Sequence, residues 1–145
     1  MDVKEKKKVA KIKLVTVIRH PDQENETFEL WVEGSLFRKQ DHTYLTFEEV
    51  QENGSVRTTV RMGEEEALIL RGGSIKMRLP FILNEKQPGS YDGGYGSLAV
   101  TVHTHTLQFE HNEDRGRFIV DYDLLTGDQL VGEYNLEFTY TEEKQ

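Results

Sequence analysis

Two groups of side chains in this sequence have types and spacings that could support chemistry. The first is His103-Thr104-His105. Residues i and i+2 of an extended strand share a face, so both imidazoles stand opposite Leu98, Val100 and Val102. Keeping apolar faces together across the following hairpin sets His103 near Asp123 and His105 near Asp121. The same parity one hairpin further on sets Glu133 beside Asp121. Imidazoles and carboxylates on one sheet face are donors suited to zinc or another divalent cation. Cross-strand attraction between histidine and carboxylate accounts for the same grouping without an ion. The expectation is therefore that His103, His105, Asp121 and Asp123 are not a functional metal site, and that no cofactor is implied.

The second group is basic. Gly73-Ser74 fits a type II′ turn, which sets Arg71 opposite Lys76 on the side away from the apolar residues, with Arg78 beside them. In the preceding segment Val56, Val60 and Met62 point inward, so Arg57 and Arg61 point outward. Five cations then share the outer face of three successive strands in a chain of net charge −8. Like charges in direct opposition destabilise a sheet. Such a patch suits an anionic small molecule, a nucleic-acid backbone or an acidic protein patch. The bland alternative is a solvated face paired with Glu48 and the Glu64-Glu65-Glu66 loop.

Catalysis finds less support. The chain has no cysteine, which removes thiol nucleophiles, thiolate metal sites and disulfides. It carries no Gly-x-Ser-x-Gly elbow, phosphate-binding glycine loop or dinucleotide fingerprint. Gly93-Gly94-Tyr95-Gly96 precedes no helical segment, so it lacks the dipole that makes a phosphate cradle. No catalytic residue is assigned, and the leading function is a non-catalytic binding module for an anionic ligand or partner. A protein–protein or self-association module, such as a homodimer, and a carrier of a small molecule in a barrel lumen are the alternatives.

The elements that must position these groups are strands. Period-two alternation runs through nearly the whole chain and no helical period persists beyond about a turn. Ile12, Leu14, Thr16 and Ile18 share a face, as do Phe28, Leu30, Val32 and Leu36, and later Phe118, Val120, Tyr122 and Leu124. Asn53-Gly54 predicts a two-residue type I′ hairpin that pairs Phe47 with Val60 and Leu45 with Met62. Gly73-Ser74 predicts pairing of Leu70 with Met77 and of Leu68 with Leu79. Residues 110–116 and 125–129 read as longer hairpin connections, and 84–96 as one long loop, a lid or a crossing over one barrel end. Successive hairpins with one apolar face suit a closed barrel, which removes free edges, better than a two-sheet sandwich. The fold class is all-β, an antiparallel up-and-down barrel of about 8–10 strands. Phe47, Phe118, Tyr122 and Tyr134 face its lumen, and their bulk predicts a filled or narrow interior.

Three stretches also carry a family resemblance. Arg71-Gly72-Gly73-Ser74-Ile75-Lys76-Met77 with Phe81 resembles the signature of the YwiB-like family of small bacterial proteins. So do Gly116-Arg117-Phe118-Ile119-Val120-Asp121-Tyr122-Asp123-Leu124, running on to Gly127-Asp128, and the closing Tyr134-Asn135-Leu136-Glu137-Phe138-Thr139-Tyr140. The resemblance spans about Ile12 to Tyr140 and implies a lipocalin-like, calycin-type barrel in a cytoplasmic protein, with no activity attached. True lipocalins carry Gly-x-Trp near the first strand. Here Trp31 precedes Gly34, so lipocalin ligand chemistry is not carried over.

Residues 1–8 read as a charged N-terminal tail and 9–145 as a single domain. The first thirteen residues hold six lysines against Asp2 and Glu5, the pattern of a solvated terminus. Lys11 and Lys13 interrupt the apolar run that a signal peptide would need, and no segment reaches the roughly 18 apolar residues of a membrane helix. A cytoplasmic protein without membrane partners is expected.

Overall fold

The computed structural model describes residues 7–52 and 54–143. Ten strands follow one another: β1 (Lys8–Arg19), β2 (Glu26–Lys39), β3 (His42–Gln51), β4 (Gly54–Met62), β5 (Glu66–Gly73), β6 (Lys76–Ile82), β7 (Lys86–Asp92), β8 (Ser97–Asn112), β9 (Arg115–Thr126) and β10 (Gln129–Glu142). Each pairs antiparallel with its sequence neighbours, and β10 returns to β1, closing an up-and-down barrel. Ten residue pairs, from Ala10–Glu142 to Arg19–Glu133, make that closing seam. The expected tail reaches into β1 at Lys8, and residues 1–6 lie outside the described set.

Inward side chains divide the barrel lengthwise. Toward the start of β1 and the end of β10, Ala10, Ile12, Leu45, Val60, Phe81, Val102, Phe118, Val120, Phe138 and Tyr140 are buried in one packed core. The other half is an open cup of about 720 Å³. The expectation of a filled lumen is thus overturned. Phe118 lies in the packed half, whereas Phe47, Tyr122 and Tyr134 stand at the wall of the cup, where the bulky side chains ring a space rather than fill it.

Five expected connections differ from those observed. At β3–β4 Gln51 pairs with Gly54, and Phe47 faces Thr58 while Leu45 faces Val60, a shift of two residues that leaves every side chain on its expected face. Asn53 itself lies outside the described residues. Two consecutive positive φ angles occur instead at Gln40 (51°) and Asp41 (66°), joining β2 to β3. At β5–β6 Arg71 pairs with Met77 and Ile69 with Leu79, a shift of one residue, which exchanges the two faces of β5. Gly73 does not serve a two-residue turn. It pairs sideways with Val56 at φ 109°, and a Cβ there would meet the Ser55 carbonyl oxygen at 2.2 Å.

The connections at 110–116 and 125–129 prove tight. Asn112 pairs with Arg115 and Thr126 with Gln129, leaving two-residue turns. The expected long loop is in large part β7, recruited between β6 and β8. Only three pairs join β6 to β7, ending at Arg78–Ser90. Two residues further that register sets Pro80 opposite Pro88, and neither has an N–H to give.

Gly34 permits a second close approach, since a Cβ there would lie 2.1 Å from the Thr46 carbonyl oxygen, whereas one at Gly72 would meet nothing within 4 Å. Gly34→Ala should therefore lower the urea-unfolding free energy by about 1–3 kcal/mol, the usual cost of overpacking. Gly72→Ala should change it by less than about 0.5 kcal/mol.

Candidate functional site

The cup opens where the β1–β2, β3–β4, β5–β6, β7–β8 and β9–β10 turns gather, because its lining comes from the strand ends beside them: Leu14 and Leu30, Glu49 and Thr58, Arg71 and Met77, Tyr91 and Leu98, Leu124 and Tyr134. Aromatic rings brace its floor. Tyr122 stacks on Tyr134 with centroids 5.1 Å apart and 6° between planes, and Phe81 leans on Tyr122 at 5.0 Å. Phe28, Tyr91, Leu98 and Val131, all cavity-lining, remain partly solvent-exposed at the mouth.

Three charged residues belong to these largely apolar walls: Glu29, which pairs with Lys13, and the pair Glu49 and Arg71. Arg71 Nη2 donates to Glu49 Oε1 at 3.2 Å, with the two side chains 22% and 27% exposed. The pair spans β4 above Thr58, which is the Cα partner of Arg71 and whose hydroxyl is buried without a hydrogen-bond partner among the described residues. Such polar groups inside an apolar wall are costly unless partnered. Only one of the five guanidinium N–H donors is accounted for by Glu49. The cup therefore offers apolar volume plus a fixed hydrogen-bonding fork on one side.

Arg71 was expected on the outside, and the one-residue shift at β5–β6 is why it is not. It lines the cup while Leu68 and Leu70 take the outer face. Residues 67–70, Ala-Leu-Ile-Leu, are apolar on both faces, so alternation could not set the parity of β5. Glu49 escaped notice for a related reason: its inward phase follows from Leu45 and Phe47, yet nothing inside the barrel suggested a partner. The other four cations do lie outside. Arg57 donates to Glu48 at 3.4 Å, and among the described residues Arg61, Lys76 and Arg78 have no ion-pair partner. Leu70, 38% exposed, lies between them as the Cα partner of Arg78.

The histidines lie on the outer wall at β8, which β7 separates from β6. His103 pairs with Asp123, as the strand parity requires, but His105 is the extra residue of a β-bulge between Thr104 and Thr106. The bulge sits where β8 parts from β7: Thr104 exchanges backbone bonds with Asn84 and Glu85 of the β6–β7 turn. His105 Nε2 consequently meets Asp123 Oδ2 at 3.0 Å instead of Asp121. Asp121 accepts from Asn135 Nδ2, and Glu133 pairs with Asp123 rather than Asp121 because β10 bulges between Leu130 and Gly132.

Three comparisons with known proteins agree. A family model described as a domain of unknown function (DUF1934) matches residues 12–138. The uncharacterized β-barrel protein YwiB of Bacillus subtilis (strain 168) is 30% identical over 119 residues, covering 82% of this chain and 84% of that protein. The crystal structure of the ywiB protein from Bacillus subtilis superposes with a TM-score of 0.85 at 27% identity, covering 95% of this chain and 94% of that one.

Burial raises the ionisation of Tyr122 far above the ordinary tyrosine range, and the neighbouring Tyr134 adds to it. Tyr134 is raised by burial and by Glu26, and Tyr140 by burial and by Glu142. A raised folded-state value means that the unfolded chain sheds these protons first. Stability present below about pH 10 is then lost as pH rises further. Unfolding free energy measured by denaturant from neutral to alkaline pH should fall in that window, and Tyr122→Phe should flatten the fall.

Proposed function

This chain belongs to the YwiB-like β-barrel family, the DUF1934 domain of unknown function, and we propose that it is a non-catalytic binding protein that takes a small, largely apolar molecule with a carboxylate-type head into the open half of its barrel. The observation that carries this reading is the cup of about 720 Å³, whose largely apolar wall carries Arg71 with Glu49 beside it. That volume falls within the roughly 300–1,000 Å³ of small-molecule pockets, which combine apolar lining with a few fixed polar groups. The apolar body of the guest lies against Leu14, Leu30, Leu98, Val100 and Leu136, and its acceptor oxygens take the free N–H groups of Arg71. Arginine presents a planar fork matched to a carboxylate. Thr58 supplies a further hydroxyl donor beside it.

The cup should bind anilinonaphthalene sulfonate saturably, with fluorescence enhancement, and decanoate should displace it better than decanol does. The double variant Arg71→Met, Glu49→Gln, which leaves no unpaired charge inside the wall, should erase that preference. Leu30→Trp with Leu98→Trp should fill the cup and abolish probe binding while the thermal transition persists. Equal binding to wild type and the filled variant, or no saturable binding at all, overturns the reading.

A second reading concerns the outer wall of β4–β6, where Arg61, Lys76 and Arg78 lack ion-pair partners among the described residues and flank the exposed Leu70. We propose it as a contact for an anionic partner of the protein as a whole. Exposed cations contribute little to stability, so Arg61→Glu with Arg78→Glu should leave the melting temperature nearly unchanged. The same variant should abolish a binding to polyanions that weakens steeply with salt. Absence of salt-sensitive binding in the wild type removes this reading and leaves the cup untouched.

A further inference from the structure

We propose that His103, His105 and Asp123 bind a divalent transition-metal ion of the zinc class on the outer wall of the barrel. One donor atom from each lies within 4.8 Å of the others, with His105 Nε2 and Asp123 Oδ2 already 3.0 Å apart. Metal–ligand lengths of about 2.0–2.1 Å in a tetrahedral site put donors about 3.3 Å apart. Small side-chain rotations, with no backbone movement, bring the set to that spacing.

The two imidazoles meet at the bulge. Residues i and i+2 of a strand share a face with Cα atoms about 6.5–7 Å apart. Here the His103 and His105 rings lean to a centroid separation of 4.5 Å, with the register shift beside them. Bulges re-aim side chains in this way, and they recur beside functional sites. Two imidazoles so close repel if both are protonated, while a bound cation unites them. Surrounding charge favours a cation: Glu133 is the Cα partner of Asp123, and Asp121 follows two residues before it on the same face. Two cations stand beside them, Lys86 as the Cα partner of His103 and Arg19 as that of Glu133, against the three carboxylates of Asp121, Asp123 and Glu133. His105 is 48% exposed and Asp123 26%, so the ion enters without any opening of the fold. Three protein donors leave a coordination position for water or for Glu133, the pattern of an open rather than a closed structural site.

The test uses tag-free protein stripped with a chelator and titrated with Zn²⁺ by calorimetry and with Co²⁺ by visible absorption. Stoichiometric one-to-one uptake is expected. Losing only an outer partner of a metal ligand typically costs roughly 10–100-fold in affinity, so His105→Ala and Asp123→Asn should each weaken uptake by at least about tenfold. His42→Ala, remote from the cluster, should leave it unchanged, and all three variants should keep the metal-free melting temperature. Uptake below stoichiometry, uptake indifferent to both His105→Ala and Asp123→Asn, or uptake lost in His42→Ala overturns the proposal.

Discussion

Closure between β1 and β10 is the constraint on which everything else rests. A meander of ten strands left open would present two edges of unpaired backbone groups. The ladder from Ala10–Glu142 to Arg19–Glu133 satisfies both at once and turns one sheet face into an interior. That interior is then filled from only one side. The start of β1, the end of β10, the β2–β3 turn and the β8–β9 turn gather over the packed half, where Phe118, Phe138 and Tyr140 meet. The opposite half receives threonines, two glutamates and an arginine among its apolar lining. Closure supplies the walls, and the side chains near one rim leave them hollow.

Much of this was legible in the residues. Alternation through Phe28 to Leu36 and Phe118 to Leu124 is unambiguous, so the all-β class and the inward set of those strands follow directly. Where both faces of a segment are apolar, as in Ala67-Leu68-Ile69-Leu70, parity must come from the turn, and the glycine at the turn answered to a different neighbour. Gly73 is shaped by its approach to Ser55 on β4. That single misreading moved Arg71 from the surface to the lumen. The histidine cluster shows the complementary case. Strand parity brought His103 to Asp123, but a bulge has no signature in the local sequence; it arises because Thr104 bonds the backbone of the β6–β7 turn.

The two sites lie on the two faces of neighbouring strands, so they make different demands on one scaffold. Tyr122, on the cup wall, alternates with Asp121 and Asp123 on the outside. The packed rings of Tyr122, Tyr134 and Phe81 stiffen the sheet behind the histidines. Hydrogen-bonded polar tips outside and stacked rings around a space inside share one stretch of backbone.

The short β6–β7 seam gives the barrel a direction. A hoop under outward pressure parts at its poorest join, and here that join is the β6–β7 seam, held by three pairs that end short of Pro80 and Pro88. Three pairs there against ten between β1 and β10 make that flank the expected place for any change of girth. The wall behaves less like a rigid pipe than like a cuff with one loose fastening, and a bulky guest would stretch it toward β6 and β7.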